Sequence, residues 1–339
     1  MDLLQAVNQK GSISAAAREL HLSYRHVWGE LKRWEEVLGH ELIVWEKGQS
    51  AKLTEFGDKL MWAERQTQAR LAPQLEALRA DLERTFAVAF DPDAHVLTLY
   101  ASYDDALPRL REHAAATGLH LDIRFCGSVD AIRALNEGRC TLAGFHTQSA
   151  PAETSHTAQA YKGLLQPGLH KIIGFATRTQ GLITASGNPL QLHNLTDVAN
   201  RQARFVQRSP GTGTRVLLDD LLTQAGLNIQ DLNNWPDAEP SHTALAEAIA
   251  SGRCDVGLGI ESTARSRDLG FVPLVQEQFH LVCLNSALDI PATQALRTLL
   301  QEAEWQAVLD ALPGYQAQNS GRVQSLNQQL PWWRFKRSK

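Results

Sequence analysis

Several common motifs are missing from this chain, and each omission removes a class of function. None of its four cysteines (Cys126, Cys140, Cys254, Cys283) sits in a Cys-x-x-Cys pair, which excludes a zinc ribbon and leaves no disulfide framework. No run of eighteen apolar residues occurs, and the opening MDLLQAVNQKGSISAAAREL lacks the apolar centre of a signal peptide. Cytoplasmic residence with no membrane contact is therefore expected. A basic excess is missing too: 33 Lys and Arg stand against 37 Asp and Glu, a formal net charge of -4. No bulk positive field advertises nucleic acid or an anionic membrane. What is present is ordinary for a globular protein, with 43% hydrophobic and 21% charged residues, which rules out collagen, rods and wholesale disorder. The length of 339 residues predicts two or three domains.

Punctuation divides the chain into four stretches. Residues 1–53 read as short helices broken at Gly11, His21 and Gly39, and residues 54–90 as one connector helix. The turn cluster Asp91-Pro92-Asp93 opens a long body, 91–330, in which apolar runs such as HVLTLY and LHLDIRF alternate with amphipathic helices. That rhythm predicts an α/β class with βαβ units and a mostly parallel sheet. Residues 331–339, PWWRFKRSK, form a basic aromatic tail.

The body repeats itself. Residues 129–146 and 243–260 each give a helix, a Gly-Arg-Cys turn and an apolar strand ending in small residues. Gly138 and Gly252 fall where a helix end wants a left-handed residue. Two such halves predict two α/β lobes with a cleft between them.

In the head, Ala16, Ala17 and Leu20 give one helix a small apolar face. After the His21-Leu22 turn, Ser23 is a good N-cap for a second helix with Val27, Leu31, Trp34 and Leu38 on one stripe. Small residues let the two helices cross closely and project the second one's first turn outward, the geometry of a recognition helix. Residues 42–54 read as two short strands around Lys47-Gly48-Gln49-Ser50, a β-wing. The head resembles the winged helix-turn-helix of LysR-type and of molybdate-responsive ModE regulators, through Gly11-Ser12, Ala16-Ala17, Leu20, Ser23, Trp34-Glu35, Leu38-Gly39, Leu42, Leu53-Thr54 and Gly57. Ser23-Tyr24 with Trp28 is closer to ModE. It departs from the pattern at His21, where Gly is usual, and at Trp45, near which LysR proteins keep an Arg. Residues 1–60 carry eight Lys/Arg and nine Asp/Glu, so binding of double-stranded DNA needs Arg25, Lys32, Arg33, Lys47 and Lys52 to share one face. Arg25 and His26 are the expected base readers, beside Ser23 and Tyr24 at the helix start. Ser12, Ser14, Lys32, Arg33 and Lys52 are expected at phosphates. A protein-interaction module, with Trp28 and Trp34 as core, is the other reading.

Leu71, Leu75, Leu78 and Leu82, spaced 4, 3 and 4, make a seam on the connector that a second chain would bury. Pro73 predicts a kink or restart there. A homodimer or tetramer is expected; packing of the seam on its own body is the alternative.

The most informative stretch is FVQRSPGTGTRVLLDDLL, 205–222. Gly211 and Gly213 let the backbone bend so that successive N–H groups converge. Thr212 and Thr214 add hydroxyls, and the helix beyond adds its positive end. Arg208 or Arg215 completes the charge. With no Gly-Lys-Thr and no Rossmann spacing, this is a cradle for an oxyanion or carboxylate. From about 95 to 290 the body resembles a type 2 periplasmic-binding-protein-like domain, of the kind fused to helix-turn-helix heads or linked to molybdenum-cofactor enzymes. That resemblance implies ligand contacts at Ser102, Gln180, Thr212, Gly213, Thr214, Arg215 and His242; Gly211 in the bent loop and Glu261 after a strand end are candidates beside them. His242 is as readily a structural histidine, and His113, His120, His146 and His156 look unrelated to any metal site.

No carboxylate pair, nucleophile–His set or cofactor loop can be assembled, so no enzyme, cofactor or metal is expected. The expected function is a DNA-binding regulator sensing molybdate or tungstate in the cleft. A formate or molybdopterin-like ligand carrier without DNA regulation is the alternative.

Overall fold

The computed structural model describes residues 2–44, 50–90 and 95–333. Two compact units emerge, Met1–Ala69 and Arg70–Lys339. The wing tip with Trp45 and Lys47, the Asp91-Pro92-Asp93 turn and the tail beyond Trp333 lie outside the described residues.

The first unit holds α1 (Asp2–Lys10), α2 (Ile13–Glu19), α3 (Tyr24–Leu38), β1 (Ile43–Val44) and β2 (Lys52–Leu53). It also holds the start of α4 (Glu55–Phe90). His21 does adopt the left-handed backbone, φ 55°, and Gly39 ends α3 in the same region. Ser12 and Ser23 cap α2 and α3, their hydroxyls accepting from the amides of Ala15 and His26. Val27 and Leu31 are buried with Ala16 and Ala17 in one small core. Leu38, at the end of the predicted stripe, is exposed. β1 and β2 pair antiparallel, Ile43 opposite Leu53, as the base of a wing.

α4 runs through Pro73 as one helix, without the expected restart. Thr54 caps it, its hydroxyl accepting from Gly57 N–H at 3.0 Å. Within the second unit one face of α4 packs inward: Ala80 is buried and Glu76 pairs with Arg111 at 2.9 Å. Leu71, Leu75, Leu78 and Leu82 remain on the other face, 43–68% exposed, so the seam does not pack on its own body.

The second unit continues with β3 (His95–Ala101), α5 (Ala106–Ala115), β4 (Leu119–Phe125), α6 (Ser128–Asn136), β5 (Leu142–Gln148), α7 (His156–Tyr161) and β6 (His170–Thr184). Next come α8 (Leu195–Asn200), β7 (Arg204–Arg208), α9 (Gly213–Gln224), β8 (Asn233–Glu239), α10 (His242–Ala250), β9 (Val256–Ile260), α11 (Glu261–Arg265) and β10 (Gly270–Leu284). The unit ends in α12 (Pro291–Gln301), α13 (Ala303–Asp310), β11 (Tyr315–Gln316), β12 (Val323–Ser325) and α14 (Leu326–Gln329).

One sheet runs β4-β3-β5-β10-β6-β9-β7-β8, with β11 and β12 on β6. Strands are parallel within each lobe but antiparallel wherever β6 and β10 take part. The sheet is mixed, not mostly parallel, because the chain crosses between lobes along these two long strands. β10 meets the first lobe at residues 277–282 and β6 meets the second at 180–184. Residues 177–180 and 275–279 therefore lie at the crossing. The sequence repeat corresponds to α6–β5 and α10–β9, and Gly138 and Gly252 adopt φ 71° and 69°. Cys140 and Cys254 are buried, and burial pushes both thiols up to about 12, which leaves them unreactive.

Candidate functional site

The glycine-bent loop between β7 and α9 behaves locally as its residues require. Gly211 is left-handed at φ 79°. Thr212 caps α9, accepting from Arg215 N–H at 3.4 Å. The first amides of α9 have no partner inside the helix, as at any helix start. A Cβ at Gly213 would lie 3.0 Å from His146 Cβ, so a side chain there would require His146 to give way.

Behind this loop the crossing strands bring together a buried polar cluster. Gln180 Nε2 donates to Thr214 Oγ1 at 3.0 Å and to Glu277 Oε2 at 2.9 Å. Thr214 Oγ1 lies 3.3 Å from His242 Nε2. From the other lobe, Ser128 Oγ is 3.5 Å from both Ser102 Oγ and His146 Nδ1. Arg178 is gripped by Asp104 and by Glu277, the latter at 2.8 Å. Burial disfavours its charge, but Glu277 and Asp104 more than offset that, so its pKa is raised.

Four buried atoms in this region have no hydrogen-bond partner: Arg208 Nη1, Gln180 Oε1, His146 Nε2 and His242 Nδ1. Leaving one such atom unpaired costs about 1–3 kcal/mol, so these four are open to a water or to a polar ligand. Arg208 hydrogen-bonds only main-chain carbonyls, Nε to Glu239 at 3.2 Å and Nη2 to Pro240 at 3.0 Å. Burial first, then the neighbouring Arg178, pushes its pKa down to about 9. Its charge is thus poorly compensated, and an anion would relieve that. Burial holds His146 and His242 well below the usual histidine range, reinforced by the nearby cations. Both are neutral at pH 7, each with one N–H to donate. A cavity of about 220 Å³ opens beside the cluster, its walls including Ser102, Gly127, Arg208 and Thr212.

Of the residues expected from sequence, Ser102, Gln180, Gly211, Thr212, Gly213, Thr214 and His242 lie in or around this cluster. Two do not. Arg215, third residue of α9, turns along the helix to Asp219 at 3.3 Å and back to Gln207, so its guanidinium is taken up there. Glu261 pairs with Arg265 at 3.0 Å and packs against Gly314. Among the described residues, the cluster cation with no carboxylate ion pair is Arg208, since Arg178 is held by Asp104 and Glu277. Sequence reasoning missed Ser128, His146, Arg178 and Glu277. One signal was there for Ser128: the repeat offset of 252 − 138 = 114 places carries His242 onto residue 128. Both residues begin helices, and both face the site.

On the head, Ser14, Tyr24, Arg25, His26, Lys32, Arg33 and Lys52 are all exposed. Lys32 and Arg33 are engaged by Glu35 and Glu30, each at 2.6 Å, whereas Arg25 has no ion pair among the described residues. Tyr24 stacks on half-buried Trp28, ring centroids 6.4 Å apart, and Lys32 Nζ lies over the Trp28 ring at 5.0 Å. Glu35 is held below the ordinary carboxylate range; burial opposes this, but its bonds to Lys32 and to the amides of Leu42 and Ile43 prevail.

Comparison with known proteins agrees with this architecture. Residues 1–58 match the bacterial regulatory helix-turn-helix protein, lysR family, and residues 110–301 match the PBP superfamily domain. The chain belongs to the PBP superfamily, and it joins that domain to a LysR-family head. It is a LysR-type DNA-binding transcriptional regulator with a ligand-binding effector domain. It is 27% identical over 235 residues to the uncharacterized protein YvgK of Bacillus subtilis (strain 168), covering 69% of this chain and 75% of that one. A probable transcriptional regulator from Pseudomonas aeruginosa aligns at TM-score 0.48 and 17% identity, over 88% of this chain and 96% of its own. Full-length CbnR complexed with its target DNA aligns at TM-score 0.44 and 17% identity, over 88% and 98%. Among the described residues no helix is long and apolar enough to cross a membrane, and no group of three His, Cys, Asp or Glu side chains could hold a metal ion.

Proposed function

We propose that this regulator is a cytoplasmic homodimer, not an enzyme, whose interlobe site takes a small oxyanion of the molybdate or tungstate kind. The observation that carries the reading is the buried, unpartnered Nη1 of Arg208, in the same cradle as the Gly213 and Thr214 amides that open α9. The unpartnered His146 Nε2 and His242 Nδ1 supply further donors in the tautomers that protonate them, and an oxyanion is acceptor on every side. The ModE-like features of the head favour molybdenum biology for the same site. Arg25 and His26 read base edges, Ser14, Lys32, Arg33 and Lys52 hold phosphates, and the α4 seam joins two chains across a roughly palindromic operator. The ligand acts by unequal affinity for two arrangements of the lobes.

The test is a thermal-shift panel of molybdate, tungstate, sulfate, phosphate and formate. A ligand at about 100 times its Kd adds roughly 2.7 kcal/mol of stability. A mobility-shift assay on the DNA upstream of the protein's own gene, with and without that ligand, then separates a regulator from a ligand carrier. The size of the cavity favours a second reading. At about 220 Å³ it exceeds the roughly 150 Å³ that accommodates a benzene ring. An organic anion with a carboxylate or phosphate head group would fill it better than a bare oxyanion, and would leave the panel silent except for weak phosphate or formate responses.

A further inference from the structure

The cavity has a third wall besides the two lobes: Arg70, Pro73 and Gln74 of α4 also line it. Arg70 makes a two-pronged ion pair with Glu239, Nε to Oε2 at 2.9 Å and Nη2 to Oε1 at 2.8 Å. The partners differ in setting, since Arg70 is 40% exposed and the Glu239 side chain is fully buried. Glu239 is also the residue whose carbonyl accepts from Arg208 Nε at 3.2 Å and from Ser209 N–H at 3.1 Å. A single residue thus ties the connector helix through its carboxylate and the cradle's cation through its main chain.

We propose that Arg70 is the second cation of the anion site, shared between Glu239 and the ligand. This rests on the anion reading above. An anion that reaches Arg208 enters a cavity one wall of which carries the Arg70 guanidinium. Its planar fork suits a carboxylate, phosphate or oxyanion as well as it suits Glu239. Binding then draws Arg70 from Glu239 to the ligand and changes how α4 is held. Ligand occupancy and the state of the connector become one event, and no longer relay is needed.

The two partners give opposite predictions. Arg70→Ala removes a ligand contact, so Kd for whichever panel anion binds the wild type rises at least fivefold. Glu239→Gln removes the nearer competitor while keeping the shape, leaving only the longer contact of Arg70 to Asp237 at 3.7 Å, so Kd for that same anion falls. A merely structural pair would move both variants the same way, and that result overturns the proposal. Hydrogen exchange in the ligand-free full-length protein is the second readout. Both variants should speed exchange across residues 70–76 while β6 stays protected; no change there also overturns it. If no panel anion stabilises the wild type, the anion reading fails, and this proposal fails with it.

Discussion

Gly127 and Gly211 meet backbone to backbone across the cleft: a Cβ added to Gly127 would lie 2.7 Å from the Gly211 carbonyl oxygen. The amide of Val129, two residues on, donates to the same carbonyl at 3.4 Å. The lobes therefore touch where the anion cradle bends. Gly127→Ala should wedge them apart, destabilising the body by about 1–3 kcal/mol as overpacking does and shrinking any ligand-induced thermal shift. An unchanged urea midpoint would show that the lobes do not press together there.

The cradle's charge separates two arginines that sequence alone leaves equivalent. Arg208→Lys loses the fork that spans the Glu239 and Pro240 carbonyls, and ligand stabilisation should fall by at least 1.4 kcal/mol, a factor of ten in affinity. Arg215→Ala, which breaks only ties to Asp219 and Gln207, should leave the response within twofold of wild type. Titration calorimetry on both variants decides, and the reverse ranking would return the role to Arg215.

Acid should destabilise the second unit through its buried histidines. Burial lowers the pKa of His146 and His242 well below the ordinary value and that of His280 to about 3. The unfolded chain therefore binds protons that the folded one refuses, so stability is full above about pH 6.5 and falls as pH drops below it. Each such histidine contributes about 1.4 kcal/mol per pH unit well below 6.5. Unfolding midpoints at pH 7, 6 and 5 test this, and His280→Gln should flatten the slope.

Gly29 stands in the exposed middle of α3 with nothing within 4 Å of where its Cβ would be. Glycine inside a helix costs about 1 kcal/mol relative to alanine, and no packing explains it here. Gly29→Ala should raise the stability of the head by about that amount and weaken operator binding, because the added methyl sits between Arg25 and Arg33, one turn to either side. Tighter operator binding by the variant would refute close approach of DNA at this point.

The α4 seam gives the last prediction. If the seam joins two chains as proposed, Leu75→Glu with Leu78→Glu should give a monomer by light scattering with its circular dichroism unchanged, since both side chains are well exposed in the single chain.

Features readable in the sequence share one property: their causes are local. Ser12, Ser23 and Thr212 cap helices because a short hydroxyl before a helical run has an amide within reach. Gly138, Gly252 and Gly211 turn left-handed because their neighbours demand it, and the repeat follows from two such turns. These signals were enough for the helix-turn-helix head and the two-lobed α/β body.

Which groups face one another across that cradle depended on distant partners. Arg178 and Glu277 lie 99 positions apart, and only the crossing of β6 and β10 sets them side by side. His146 looked unrelated to any site until β5 carried it under Gly213. Arg208 and Arg215, seven places apart, differ because one ends a buried strand and the other sits partly exposed in the first turn of α9. Local chemistry fixes conformation residue by residue, but burial and pairing belong to the assembled sheet, and those decided which charges are left for a ligand.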